Sequence, residues 1–151
     1  MKKKNKYIML CPICWEEECN CDASKVEIDV EIAETIKLLN KKGYHTTFCC
    51  GGHIQKELLP LGVTPSIYVA FNKWQCKKID PQEIGEGWTF TPSTYTLRYT
   101  LDWCKKFKIF TGKTKALIKK YNHPVLDSDI ELIKKELEEK RKELYEWIKS
   151  K

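Results

Sequence analysis

Residues 29–53 read Asp29-Val30-Glu31-Ile32-Ala33-Glu34-Thr35-Ile36-Lys37-Leu38-Leu39-Asn40-Lys41-Lys42-Gly43-Tyr44-His45-Thr46-Thr47-Phe48-Cys49-Cys50-Gly51-Gly52-His53, and a change of period inside this stretch sets the fold class. From Asp29 to Lys42 the apolar residues Ile32, Ala33, Ile36 and Leu39 recur at helical spacing, and Gly43 supplies a stop. Glu31 and Glu34 lie toward the amino end of that segment, with Lys37, Lys41 and Lys42 toward the other, which suits the helix dipole. Beyond Gly43 the residues turn aromatic and β-branched, predicting a strand over Tyr44 to Cys50 that ends at Gly51-Gly52.

Working toward the carboxyl end, Pro60, Gly62 and Pro65 punctuate an irregular segment before Ser66-Ile67-Tyr68-Val69-Ala70-Phe71, a second expected strand. Tyr95 to Leu101 alternates as a third, and Trp88-Thr89-Phe90 reads as a short strand between loops marked by Pro81, Gly85, Gly87 and Pro92. Ser128 with Glu131 forms a capping box ahead of an apolar stripe of Ile130, Ile133, Leu137, Leu144 and Ile148. Lys140 and Arg141 interrupt that stripe as a coiled-coil seam, so a helix docked on the sheet is expected instead. The expected architecture is α+β: a small, mainly antiparallel sheet packed by two or three helices.

Toward the amino end lies Cys11-Pro12-Ile13-Cys14-Trp15-Glu16-Glu17-Glu18-Cys19-Asn20-Cys21. Four thiolates complete a tetrahedral zinc shell, and Cys-x2-Cys presents two of them from one tight turn. Cys11, Cys14, Cys19 and Cys21 are therefore the expected ligands of a zinc knuckle, although the second half is Cys-x-Cys rather than the commoner pair. Free or redox-active thiols are the alternative. The three intervening glutamates are expected to stay in water. Residues 1–25 form a zinc-binding segment and 26–151 the α+β domain, as parts of one compact unit.

The 151 residues suit one domain, and 42% apolar content with 11% aromatics is enough for a core. No run approaches the roughly 20 apolar residues of a membrane span, and the lysine-rich start lacks the form of a signal peptide. A cytoplasmic location is expected, where eight cysteines are better explained as metal ligands and small buried groups than as disulfides.

The net charge of +6 is unevenly spread: 103–126 holds no acidic residue but contains Lys105, Lys106, Lys108, Lys113 and Lys115, interleaved with Trp103, Phe107 and Phe110. Such a segment suits a phosphate backbone and stacked bases. An ordinary solvated lysine surface is the competing reading, and the scarcity of arginine (only Arg98 and Arg141) favours it. Gly112-Lys113-Thr114 lacks the upstream glycine of a phosphate-binding loop, since position 107 is Phe.

Phe48-Cys49-Cys50-Gly51-Gly52-His53 is a second constellation. Adjacent cysteines on a strand point to opposite faces, so one of them at most readily shares a site with His53. Three readings stand open: ordinary turn and core residues; a metal or ligand site, with Cys76, Cys104, His45 or His123 as further candidates; or a thiol nucleophile activated by His53. Catalytic candidates on the last reading are Cys50 and His53, with Arg98 holding an anionic substrate. The carboxylates Glu16, Glu17, Glu18, Asp22 and Asp29 form no pair that argues for acid–base work.

The Gly43-Tyr44-His45-Thr46-Thr47-Phe48-Cys49-Cys50-Gly51-Gly52-His53 segment, followed by Tyr68-Val69-Ala70-Phe71, Gly87-Trp88, Leu97-Arg98-Tyr99 and the ending Leu144-Tyr145-Glu146-Trp147, resembles small uncharacterised cysteine-rich proteins of Firmicutes and their phages. That resemblance implies a bacterial or phage origin and no particular reaction. The functional expectation is a zinc-stabilised binding protein acting on nucleic acid or a host protein. A phage accessory inhibitor of a host enzyme or defence complex, or a small enzyme using Cys50 and His53, are the alternatives.

Overall fold

The computed structural model describes residues 6–55, 59, 65–101 and 127–151. Strand β1 (Tyr7–Leu10) pairs antiparallel with β2 (Val26–Asp29), with Ile8 opposite Ile28. A short 3-10 turn, Val30–Ile32, leads into helix α1 (Ala33–Lys41). Strands β3 (Tyr44–Cys50), β4 (Ser66–Cys76), β5 (Trp88–Thr91) and β6 (Thr96–Thr100) form a fully antiparallel sheet in the order β3-β4-β6-β5. Helix α2 (Asp127–Ser150) closes the described chain. The fold is α+β, with two antiparallel sheets and two α-helices among the described residues, and a knuckle of closely spaced cysteines between β1 and β2.

The expected helix over Asp29 to Lys42 starts later than its spacing suggests. Asp29 finishes β2, and its side chain caps nothing at the following turn because the carboxylate is engaged elsewhere in the fold. At the other end Gly43 behaves as expected: its φ of 94° gives the left-handed turn, and its N–H donates to the Asn40 carbonyl at 3.2 Å. The strand over Tyr44 to Cys50 forms with the expected bounds.

Strand β4 runs beyond Phe71 to Cys76 because the pairing with β3 is irregular there: Tyr44 faces Cys76 while Thr46 faces Phe71. Asn40 secures the irregularity from α1. Its amide nitrogen donates to Thr46 Oγ1 at 2.9 Å, and its Oδ1 accepts the Thr46 N–H at 3.1 Å. Strands β1 and β2 were not expected from the sequence, although Val26-Glu27-Ile28-Asp29 alternates as a strand should.

One face of the larger sheet carries Tyr44, Ile67, Val69, Phe71, Leu97 and Tyr99, all buried. Helix α2 covers it with Ile133, Leu137, Leu144, Trp147 and Ile148, and α1 adds Ile36 and Leu39 to the same cluster. The contact is specific as well as apolar. Trp147 meets Tyr44 edge to face with ring centroids 5.5 Å apart, and Tyr99 donates its hydroxyl to Glu136 Oε1 at 2.7 Å. The docked-helix reading therefore describes α2. Its helical turns already include Asp127 ahead of Ser128, so Ser128 is inside the helix instead of capping it.

Both residues that interrupted the apolar stripe have partners at the rim of the sheet. Lys140 donates to the Glu86 carbonyl at 2.7 Å, and Arg141 donates to the carbonyls of Gly51 and Gly52 at 2.6 and 3.2 Å. Among the described residues no helix is long and apolar enough to cross a membrane.

Leu144 is fully buried beneath this helix. Leu144→Ala should lower the unfolding free energy by about 2–5 kcal/mol through lost burial and the cavity left behind. Urea unfolding is the check, with the midpoint falling and the m-value unchanged.

Candidate metal centre

The knuckle is built by a reversal that begins at Cys11, the residue after β1. Trp15 donates its backbone N–H to the Cys11 carbonyl at 2.8 Å, and Cys11 donates to the Glu16 carbonyl at 3.0 Å. Trp15 itself has φ of 62°, a left-handed conformation that a bulky residue adopts only when its surroundings hold it there. Its ring packs against the core, which supplies that hold. Outside the knuckle, Glu16 pairs with Lys41 at 2.8 Å and Lys37 at 3.8 Å on α1, and these lysines hold its carboxyl below the usual range. Glu16 thus ties the knuckle to the helix instead of simply facing water, and Lys25 donates across the loop to the Glu17 carbonyl.

The Sγ atoms of Cys11, Cys14, Cys19 and Cys21 all lie within 4.8 Å of one another. Cys11 is buried and Cys19 exposed, so the cluster spans the protein surface. Its electrostatics favour a cation. Cys11 is lowered to about 6 chiefly by hydrogen bonding from the Cys14 backbone, with burial opposing and Ile13 N–H, 3.4 Å from the sulfur, assisting. The crowded sulfurs oppose further ionisation: Cys21 is pushed up to about 12, led by hydrogen bonding with Cys14 and then Cys19, with burial adding to it. A bound divalent cation removes that resistance by neutralising the thiolates together. Four soft donors with converging positions and no other ligand type suit a metal that is held for structure.

The second constellation also converges, around a residue that sequence reasoning set aside. Cys50 Sγ, a nitrogen of His53 and a carboxylate oxygen of Asp29 lie mutually within 4.8 Å. Asp29 is only 6% exposed, and its Oδ2 accepts the Gly51 N–H at 2.6 Å and faces His53 Nε2 at 3.0 Å. The strand register separates the two cysteines as expected. Cys49 faces Val69 on the covered side of the sheet, whereas Cys50 faces Tyr68. Cys76 and His45 join neither group, and Cys104 and His123 lie outside the described residues.

The surroundings of these thiols do not match those of an activated nucleophile. Burial raises Cys50 first, and the nearby Asp29 carboxylate raises it further. Burial pushes Cys49 up to about 12. His53 directs Nε2 at Asp29. Arg98 lies in the same cross-strand row as Cys50 but two strands away, opposite Tyr68, with its guanidinium 5.1 Å from that ring. Lys105, Lys106, Lys108, Lys113 and Lys115 fall outside the described residues.

A cavity of about 350 Å³ opens where the knuckle meets β3 and β4. Trp15, His45, Phe48, Asn72 and Gln75 are among the residues lining it. No protein-family model, no curated protein and no solved structure matches this chain.

Cys14→Ser should abolish high-affinity metal binding at the knuckle and uncouple β1 and β2 from the larger sheet. Amide hydrogen exchange is the measurement, with faster exchange expected over residues 7–29 while α2 keeps its protection.

Proposed function

We propose that this chain is a zinc-stabilised protein of bacterial or phage origin that binds single-stranded nucleic acid. Zinc is the metal best suited to four thiolates without a redox role, and a closed shell of that kind stabilises a fold without offering a reactive position. The likeness to cysteine-rich proteins of Firmicutes and their phages, carried by the Gly43–His53 segment, supports the origin.

The observation that carries the binding reading is the cavity between the knuckle and the sheet, where aromatic rings and amide side chains meet. Phe48 is 73% exposed at its margin, a placement that serves no packing purpose and suits stacking on a base. Trp74 is 84% exposed on the irregular part of β4, with the Lys73 ammonium 4.8 Å from its ring centre. Cations beside exposed aromatic rings are what a flexible polyanion with stackable bases requires. The net charge of +6 and the lysines of 103–126 act in the same direction by attracting phosphate.

Phe48→Ala should weaken binding of a fluorescent single-stranded oligonucleotide by about 1–3 kcal/mol, the usual worth of one base–aromatic stack. Replacing Lys105, Lys106 and Lys108 together by alanine should instead flatten the salt dependence, reducing the log–log slope by about 2 if all three contact phosphate. Fluorescence anisotropy from low to moderate salt distinguishes the two effects. Binding of equal strength in the wild type and both variants would remove the nucleic-acid reading and favour a protein partner.

A further inference from the structure

We propose that Asp29, Cys50 and His53 form a second metal site, a three-ligand zinc centre whose fourth position is open to water or an exogenous ligand. It is distinct from the four-cysteine knuckle in both composition and place. The ligands come from the end of β2, the end of β3 and the turn after β3, so the site exists only once the two sheets have met.

The donor geometry fits. With Zn–N and Zn–O bonds of about 2.0–2.2 Å at a tetrahedral angle, the two donor atoms lie about 3.3 Å apart. His53 Nε2 and Asp29 Oδ2 are 3.0 Å apart, and Cys50 Sγ lies within reach of both. A small adjustment thus converts the His–Asp contact into shared coordination. One thiolate, one imidazole and one carboxylate form a mixed set that zinc accepts, and three protein ligands leave a position unfilled.

The electrostatic setting also favours a cation. Asp29 is a buried carboxylate, and Glu31 adds negative charge close to Cys50. Arg141 is a cation beside this group, but both its described hydrogen bonds go to the carbonyls of Gly51 and Gly52. It therefore holds the turn that carries His53, while the Gly51 N–H fixes the Asp29 carboxylate from the opposite side. Ligand-orienting contacts of this kind accompany metal sites generally. His53 is 41% exposed by side chain, which gives a metal and its fourth ligand a route from solvent.

Glycine is required at this turn for reasons that suit a built site. Gly52 has φ of 91°, and a Cβ there would lie 3.3 Å from both Ile67 and Leu137. The main chain is pressed onto the core by α2, so His53 leaves the sheet in a fixed direction.

The test is elemental analysis of the full-length protein, stripped of metal and reloaded with Zn2+, then desalted. The expected result is two zinc ions per chain, one from each ligand group, falling to one in Cys50→Ser and in His53→Ala. One zinc per chain in the wild type would overturn the proposal, as would two that persist in both variants. Because either substitution could disturb folding, the wild-type protein is also titrated with Co2+. The knuckle gives a spectrum of four-thiolate coordination, and a second equivalent should add a separate band set with weaker thiolate-to-metal charge transfer. A second equivalent that leaves the spectrum unchanged counts against the site regardless of how the variants behave.

Discussion

A buried carboxylate links the two sheets of this protein through directed polar contacts. Asp29 ends the strand that pairs with β1, yet both of its described Oδ2 partners, the Gly51 N–H and His53 Nε2, belong to the turn after β3. A buried carboxylate is costly unless its hydrogen-bonding capacity is met, so the fold must bring these segments into one register or leave the charge exposed to an apolar environment. The same turn is held from its other side by Arg141 of α2, which takes the carbonyls of Gly51 and Gly52. Strand, turn and closing helix are thereby fixed by polar contacts with defined direction, which apolar packing alone does not provide.

Around that point the apolar packing sets the order of layers. The larger sheet presents its buried face to α2, and Leu137 of that helix approaches Gly52 at the spot where Ile67 also packs. A Cβ at Gly52 would lie 3.3 Å from side-chain atoms of both Ile67 and Leu137, and the φ of 91° is one that other residues rarely adopt. Gly52 thus answers a packing demand and a conformational one together. These contacts hold the turn after β3 from the strand side and the helix side alike.

Much of the architecture was legible because its signals are local. Helix α1 and its Gly43 stop, strand β3 and the amphipathic α2 follow from periodicity and turn chemistry. The four cysteines were legible for the same reason, since their spacing within eleven residues is itself the signal. Asp29 was not. In sequence it looks like the start of a helix, and its partners lie more than twenty positions away, as in the 22-residue separation from Gly51. Only the alternation of Val26-Glu27-Ile28-Asp29 marked it as a strand residue. Arg141 likewise read as a break in a stripe, because its backbone partners are 90 and 89 positions distant. Long-range polar contacts leave no periodic trace, so Cys50 and His53 stood out in the sequence whereas Asp29, which joins their group in the fold, did not.

The smaller sheet raises a question of stability that the knuckle answers. Two strands alone form a marginal structure in water, and β1 and β2 are joined by residues 11–25, a connection much longer than a tight hairpin loop. Closing such a loop without internal order would cost chain entropy that four paired residues recover poorly. A metal held by Cys11, Cys14, Cys19 and Cys21 would divide that connection into short segments and transfer binding free energy into folding. Trp15, in its left-handed conformation, then turns its ring onto the core, and Glu16 reaches Lys41 on α1. By fixing β2, a metal there would also fix Asp29, whose carboxylate accepts the Gly51 N–H in the turn after β3.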